Sequence, residues 1–221
     1  MMKKLVIVGS GGFGAEVAWV ADDLAAACPA EGYEVVGFAD DDSSVHGSEQ
    51  YGYRCLGTVE QVAERFASEP LWYHCALGDN AVRQRMAVRC DALGLRAATL
   101  IHPSVVRAKH VEIGEGTYIG ALAVLHPYVK IGRHVLINVR VGIGHHAQIG
   151  DFAQLCPGVQ INGACRVGEG ALFGSNATIV QRRNVGRLAV VGANSLVVGD
   201  VADGRHVVGV PARPFCPEPS K

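Results

Sequence analysis

Aromatic residues make up only 6% of the 221, and nowhere do apolar residues run on for long. A membrane-spanning helix needs roughly 20 consecutive apolar residues, and nothing here comes near that, so no partnership with a membrane is expected. Met1-Met2-Lys3-Lys4 leads into four apolar residues and then a glycine turn, too short for a secretory leader. No C-x-x-C pair occurs among the seven cysteines (28, 55, 75, 90, 156, 165 and 216), which points to thiols in a reducing cytoplasm rather than to disulfides or a metal site. The basic excess of a nucleic-acid binder is also missing, since net charge is −1. That balance conceals an asymmetry: residues 1–100 hold 8 Lys and Arg against 14 Asp and Glu, while residues 101–202 hold 9 against 5. The second part is the better suited to an anionic ligand.

Glycine is abundant, at 28 residues, about twice the usual share near 7%. Its placement is periodic, but not with the three-residue period of collagen. In rows of six from residue 101 to 202, the first column is apolar in sixteen of seventeen rows, with Arg107 the exception. The second column is Gly in nine rows, and the fifth is small in all but Arg183. A period of six matches neither a helix at 3.6 nor a hairpin array. It predicts a parallel β-helix in which the first and fifth residues fill a narrow core and residues 18 apart stack on neighbouring coils. Gly at the second position is expected to relax the backbone where the chain bends. This register resembles the hexapeptide-repeat acyltransferases, whose fold is the left-handed parallel β-helix. The resemblance implies three hexads per coil and a homotrimer.

The first hundred residues are built differently. A buried strand over 4–8 runs into Gly9-Ser10-Gly11-Gly12-Phe13-Gly14, and a helix is predicted over 15–27. Strand, G-x-G-x-x-G and helix together bring backbone N–H groups and a helix N-terminus to a phosphate. A second strand over 35–39 ends in Asp40-Asp41-Asp42, and a third over 71–77 ends in Gly78-Asp79-Asn80 ahead of a helix carrying Arg83. This predicts an α/β Rossmann-like unit with ligand groups at strand ends. A purely structural domain and an NAD-binding domain remain alternatives, although 100 residues leave room for one mononucleotide-binding half. The expected organisation is a nucleotide-sugar-binding domain at 1–100, a β-helix at 101–202 and a tail at 203–221.

A short Rossmann-like unit followed directly by a β-helix resembles the nucleotide-amino-sugar N-acetyltransferases, a family shared with sialic acid O-acetyltransferases. The similarity runs from Val6-Ile7-Val8-Gly9 to Gly209-Val210-Pro211-Ala212-Arg213. By position, it implies that Gly11, Gly12, Phe13, Gly14, Asp40, Asp41, Gly78, Asn80 and Arg83 hold the nucleotide sugar. Phe13 departs from the histidine common in relatives.

Among nine histidines, His102, His110, His126 and His134 stand apart, and most of them read as surface residues, whereas His145-His146 is a pair. His145 occupies the third, outward position of its hexad, and Gly163 stands one coil on, leaving open space beside the imidazole. Acetyl transfer to an amine needs a group that takes the amine's proton near neutral pH, and histidine suits that task. The resemblance likewise places the catalytic base on His145, and it implies acetyl-CoA contacts at Gln154, Gly163, Ser175 and Ala193 in a groove between adjacent solenoids. At 146 the family usually has Asp or Glu, so His146 is a second departure within the catalytic pair. Arg182, Arg183 and Arg187 are candidates for the coenzyme's phosphates. No two histidines lie five apart, which argues against the zinc site of β-helix carbonic anhydrases.

The implied activity is acetyl-CoA-dependent N-acetylation of a nucleotide-linked amino sugar, a 4-amino-4,6-dideoxyhexose destined for a surface glycan. An O-acetyltransferase acting on a sugar and a non-catalytic nucleotide-sugar scaffold are the alternatives.

Overall fold

The computed structural model describes residues 2–215, so Cys216 lies outside the described residues. The chain divides into two compact units, Met1–Pro103 and Ser104–Lys221.

The first unit contains β1 (Lys3–Val8), α1 (Gly12–Ala27), β2 (Tyr33–Ala39), a small hairpin of β3 (Glu49–Gln50) and β4 (Tyr53–Arg54), α2 (Val59–Arg65), β5 (Leu71–Cys75), α3 (Asn80–Ala92) and β6 (Arg96–Ala97). The main sheet has the order β2-β1-β5-β6 with every pair parallel. Its central strand is buried from Leu5 to Val8, as expected of a parallel strand covered on both faces. Helix α1 buries Val17, Ala18, Val20, Ala21 and Leu24, a helical spacing that sets one face into the core. It stops at Cys28, whose N–H returns to Leu24 O just before Pro29. Sequence reasoning left α2 unassigned, although Thr58 and Gln61 form the capping box that starts it.

The second unit is a left-handed parallel β-helix of two-residue strands. Its sheets pair residues 18 apart: Val124 with Val106 and Gly142, Lys130 with Glu112 and Gln148, Leu136 with Tyr118 and Gln154. Inward residues follow the predicted columns. First-position Ile137, Ile143, Leu155, Phe173 and Ile179 are fully buried, as are fifth-position Ala123, Val141, Ala147, Cys165 and Ala177. Each large one contributes roughly 1.5–3 kcal/mol. The 18-residue step holds as far as Val197 and then shortens, because Val201 pairs with Val185 and His206 with Val190. The repeat therefore ends slightly before residue 202.

The bend has a different origin from the one expected. From His110 to Asn194 the fourth residue of every hexad is left-handed, with φ between 53° and 63° in the non-glycine cases and glycine at 116, 158 and 170. Leu122, Tyr128 and Phe152 adopt this conformation at a cost of roughly 1–2 kcal/mol each. The corner N–H offsets that cost by donating to a carbonyl of the preceding coil: Arg140 N to Ala121 O, Phe152 N to Arg133 O, Ala164 N to His145 O. Second-position glycines have ordinary φ and serve close approach instead. A Cβ on Gly168 would lie 2.5 Å from Arg187 N, and one on Gly174 the same distance from Ala193 N. Backbone cannot yield there without parting the coils. Gly168→Ala is therefore expected to destabilise by about 1–3 kcal/mol, read as a melting temperature lowered by about 2–4 °C per kcal/mol. An unchanged melting temperature would refute this account of the second column.

Candidate functional site

In the first unit the Gly-rich turn and the ends of β1, β2 and β5 surround a slot of about 200 Å³. Gly9 has φ +104, and a Cβ there would meet Ala76 O at 2.9 Å. Gly14 is likewise confined, 2.3 Å from Gly9 O at its would-be Cβ, which seats α1 directly on the turn. Gly11, the N-cap of α1, and Gly12 have nothing within 4 Å of a would-be Cβ, and no side chain caps the helix. They present bare backbone and a helix N-terminus, the arrangement that receives phosphate. Phe13 is half-buried beside them.

Asp40 is committed to structure. Ser10 donates to its Oδ2 through both N (2.9 Å) and Oγ (2.7 Å), and Asp42 N donates to Oδ1 at 3.0 Å. Burial raises its pKa, but the hydrogen bonds from Asp42 and Ser10 outweigh that and hold it below the ordinary carboxylate value. Asp40 thus ties the Gly-rich turn to β2. Asp41 pairs with Arg89 Nη1 at 2.7 Å, and Arg89 also forks onto Glu60, whose pKa its guanidinium pulls down to about 2. Sequence reasoning missed this Arg89 bridge between α2, α3 and the end of β2. It also missed Val59, Val82 and Met86, which line the slot beside Asp40 and Asp41. The spacing of Val82 and Met86 on α3 was the available signal.

Gly78 is open to solvent, and Asn80 begins α3 beside its N-cap Asp79, which accepts from Val82 N at 2.8 Å. Arg83, expected by resemblance to help hold the nucleotide sugar, is buried. It is 1% exposed, donates to Leu77 O at 3.0 Å, and burial lowers its pKa to about 10. Its guanidinium is tied to the carbonyl of Leu77, just past β5 and on the wall of the slot.

In the second unit, His145, His146, Gly163, Gln181 and Arg182 border an open cleft of about 620 Å³. His145 projects outward as expected, but the space above Gly163 is filled by its own imidazole. A Cβ on Gly163 would stand 2.6 Å from His145 Nε2. His145 Nδ1 lies 3.1 Å from His146 Nδ1, with the rings at 85°. His146 takes the left-handed corner at φ 60 and packs against Tyr128 at 4.9 Å, which in turn stacks on His110 at 5.2 Å. The column was legible, since 110, 128 and 146 are 18 apart. His134 corrects the surface reading: it is buried and stacked on Phe152 at 5.0 Å.

The four expected coenzyme positions do not converge within one solenoid. Gly163 shares a corner with His145, whereas Ser175 and Ala193 stack at another, joined by Asn194 N to Ser175 O. Gln154 lies on a sheet face, paired with Leu136 and Leu172. Arg182 borders the cleft, Arg183 is half-buried, and Arg187 pairs with Glu169 at 3.0 Å.

Comparison with known proteins agrees with this two-part layout. The PglD N-terminal domain matches residues 4–90. The acetyltransferase domain of PglB from Neisseria gonorrhoeae FA1090, solved with acetyl coenzyme A, is 28% identical with a TM-score of 0.87, covering 97% of this chain and 100% of that one. A histidine-to-asparagine mutant of perosamine N-acetyltransferase from Caulobacter crescentus, solved with CoA and GDP-perosamine, is 26% identical with a TM-score of 0.87, covering 98% and 99%. WeeI from Acinetobacter baumannii AYE is 27% identical with a TM-score of 0.84, covering 97% and 100%. No curated protein sequence matches. Among the described residues no helix is long and apolar enough to cross a membrane.

Proposed function

We propose that this chain, one of the nucleotide-amino-sugar N-acetyltransferases with a PglD-type N-terminal domain, moves the acetyl group of acetyl-CoA onto the amine of a nucleotide-linked amino sugar. The observation that carries the reading is His145, whose Nε2 lies over Gly163 at the edge of an open cleft. It occurs in a chain matched over nearly its whole length by a domain solved with acetyl-CoA and an enzyme solved with CoA and GDP-perosamine.

The amine nitrogen attacks the thioester carbonyl, forming a C–N bond as the C–S bond breaks. His145 Nε2 takes the proton the amine must lose and returns it to the departing thiolate. The reaction is neutral overall, so the protein's contribution is positioning and proton transfer. The slot beside Asp40 and Asp41 receives the nucleotide, with its phosphates at Gly11 and Gly12.

Coenzyme contacts at Ser175 and Ala193 require a neighbouring solenoid, because those residues and Gly163 occupy different corners of one chain; a homotrimer supplies that neighbour. The sugar belongs to the 4-amino-4,6-dideoxyhexoses made for surface glycans, and the enzyme works in the cytoplasm where acetyl-CoA is available.

Thermal-shift titration with UDP-, GDP-, dTDP- and CMP-linked amino sugars, with and without acetyl-CoA, tests the reading. One nucleotide class is expected to raise the melting temperature, as ligand binding to the native state must, and to release free thiol when acetyl-CoA is added. Stabilisation by none of them, with no thiol released, would favour a scaffold.

A further inference from the structure

We infer that His146 is the positioning residue of the histidine pair: as a neutral ring it accepts a hydrogen bond from His145 Nδ1–H and so fixes the tautomer that leaves a lone pair on His145 Nε2. This rests on the acetyl-transfer reading above, and it gives a role to the residue standing where a carboxylate would be expected.

The two Nδ1 atoms are 3.1 Å apart, so one proton lies between them, and a neutral imidazole donates from one nitrogen and accepts at the other. If His146 were the donor, His145 would carry its proton on Nε2 and have no base to offer the cleft. With His145 as donor, Nε2 is free where it faces Gly163. No Asp or Glu among the described residues hydrogen-bonds either ring, so none competes for the proton. His146 is held for the task. Its N–H donates to Pro127 O at 3.1 Å, and its ring packs on Tyr128, which stacks on His110.

When Nε2 takes the amine's proton, His145 becomes a cation and its bond to His146 becomes charge-assisted. The proton between the rings stays on His145. An extra proton on either ring disables the base: on His145 it occupies Nε2, and on His146 it makes Nδ1 a donor and forces His145 into the Nε2–H form. Arg182 borders the same cleft, and Tyr128 and His110 stand in the stack. His110 lies beyond Tyr128 in that stack, so His110→Phe is the control for its contribution.

His146→Phe keeps a ring on Tyr128 and removes the acceptor, and the equivalent left-handed position of the next hexad already holds Phe at 152 with φ 58. We expect kcat to fall about tenfold or more, part of the 10²–10⁴ that a general base supplies. The acid limb of kcat/KM should move to lower pH, because the imidazolium loses its acceptor. His146→Glu should retain activity and move the limb to higher pH, while His110→Phe leaves it in place. Nitrogen-15 NMR of the unliganded protein should show His145 protonated at Nδ1 in the parent and lose that preference in His146→Phe. An active parent with an unchanged rate and acid limb in His146→Phe, or an Nε2–H tautomer at His145 in the parent, overturns the inference. A parent that does not consume acetyl-CoA defeats the acetyl-transfer reading instead, and the NMR measurement still decides the pairing.

Discussion

His145→Ala is expected to lower kcat for acetyl transfer by about 10²–10⁴-fold, with little change in the KM for acetyl-CoA or in the melting temperature. The chemical expectation follows from the ring's position. Nε2 is the atom over Gly163; of the other side chains at the cleft, Gln181 carries no basic nitrogen and the His146 ring is packed against Tyr128. Stability should survive because His145 is exposed and, among the described residues, its side chain is hydrogen-bonded only to the neighbouring ring; substitutions at such surface positions usually stay within about 0.5 kcal/mol. A loss confined to kcat marks a group that acts in the transition state, whereas a raised KM would mark one that merely binds. Acetyl-CoA consumption at the parent's rate would remove His145 from the mechanism.

The solenoid was legible from its core outward, and least so at its corners. Ile137, Ala147 and Leu155 could be placed inside because a six-residue register leaves the first and fifth positions nowhere else to go. The left-handed corner could not be read, because Leu122, Tyr128 and Phe152 do not favour that conformation by themselves. It is imposed by hydrogen bonds between coils, and those depend on residues 19 positions away rather than on the local sequence. For the same reason glycine in the second column was misread as a source of flexibility, when what demands it is backbone one coil over. In the first unit the strand ends located the slot, but not which acidic side chains remain free for a ligand. Asp40 and Arg83 were assigned to the ligand by resemblance alone; what the sequence did not announce is that Asp40 also accepts from Ser10 and that Arg83 donates to the carbonyl of Leu77. Side-chain partnership of that kind leaves no periodic trace.

Gly163→Ala separates crowding of the base from crowding of the fold. Residue 163 has no left-handed φ, so alanine suits the backbone, but its Cβ would fall 2.6 Å from His145 Nε2 and 2.8 Å from Cε1. The obstacle is the far end of an exposed side chain, which can swing aside at small cost. At Gly168 the obstacle is the backbone of the next coil, which cannot. Gly163→Ala should therefore fold and melt like the parent while its imidazole is displaced by about 1 Å, an error that costs about 10²-fold in rate. The cause can be checked by combining variants. If the methyl acts by displacing the imidazole, then adding Gly163→Ala to His145→Ala should cost nothing further, a fully non-additive pair. If instead it obstructs the approach of the thioester, the two losses multiply and the KM for acetyl-CoA rises in both backgrounds. The first outcome would make Gly163 the floor on which the base rests, and the second would make it part of the coenzyme's path.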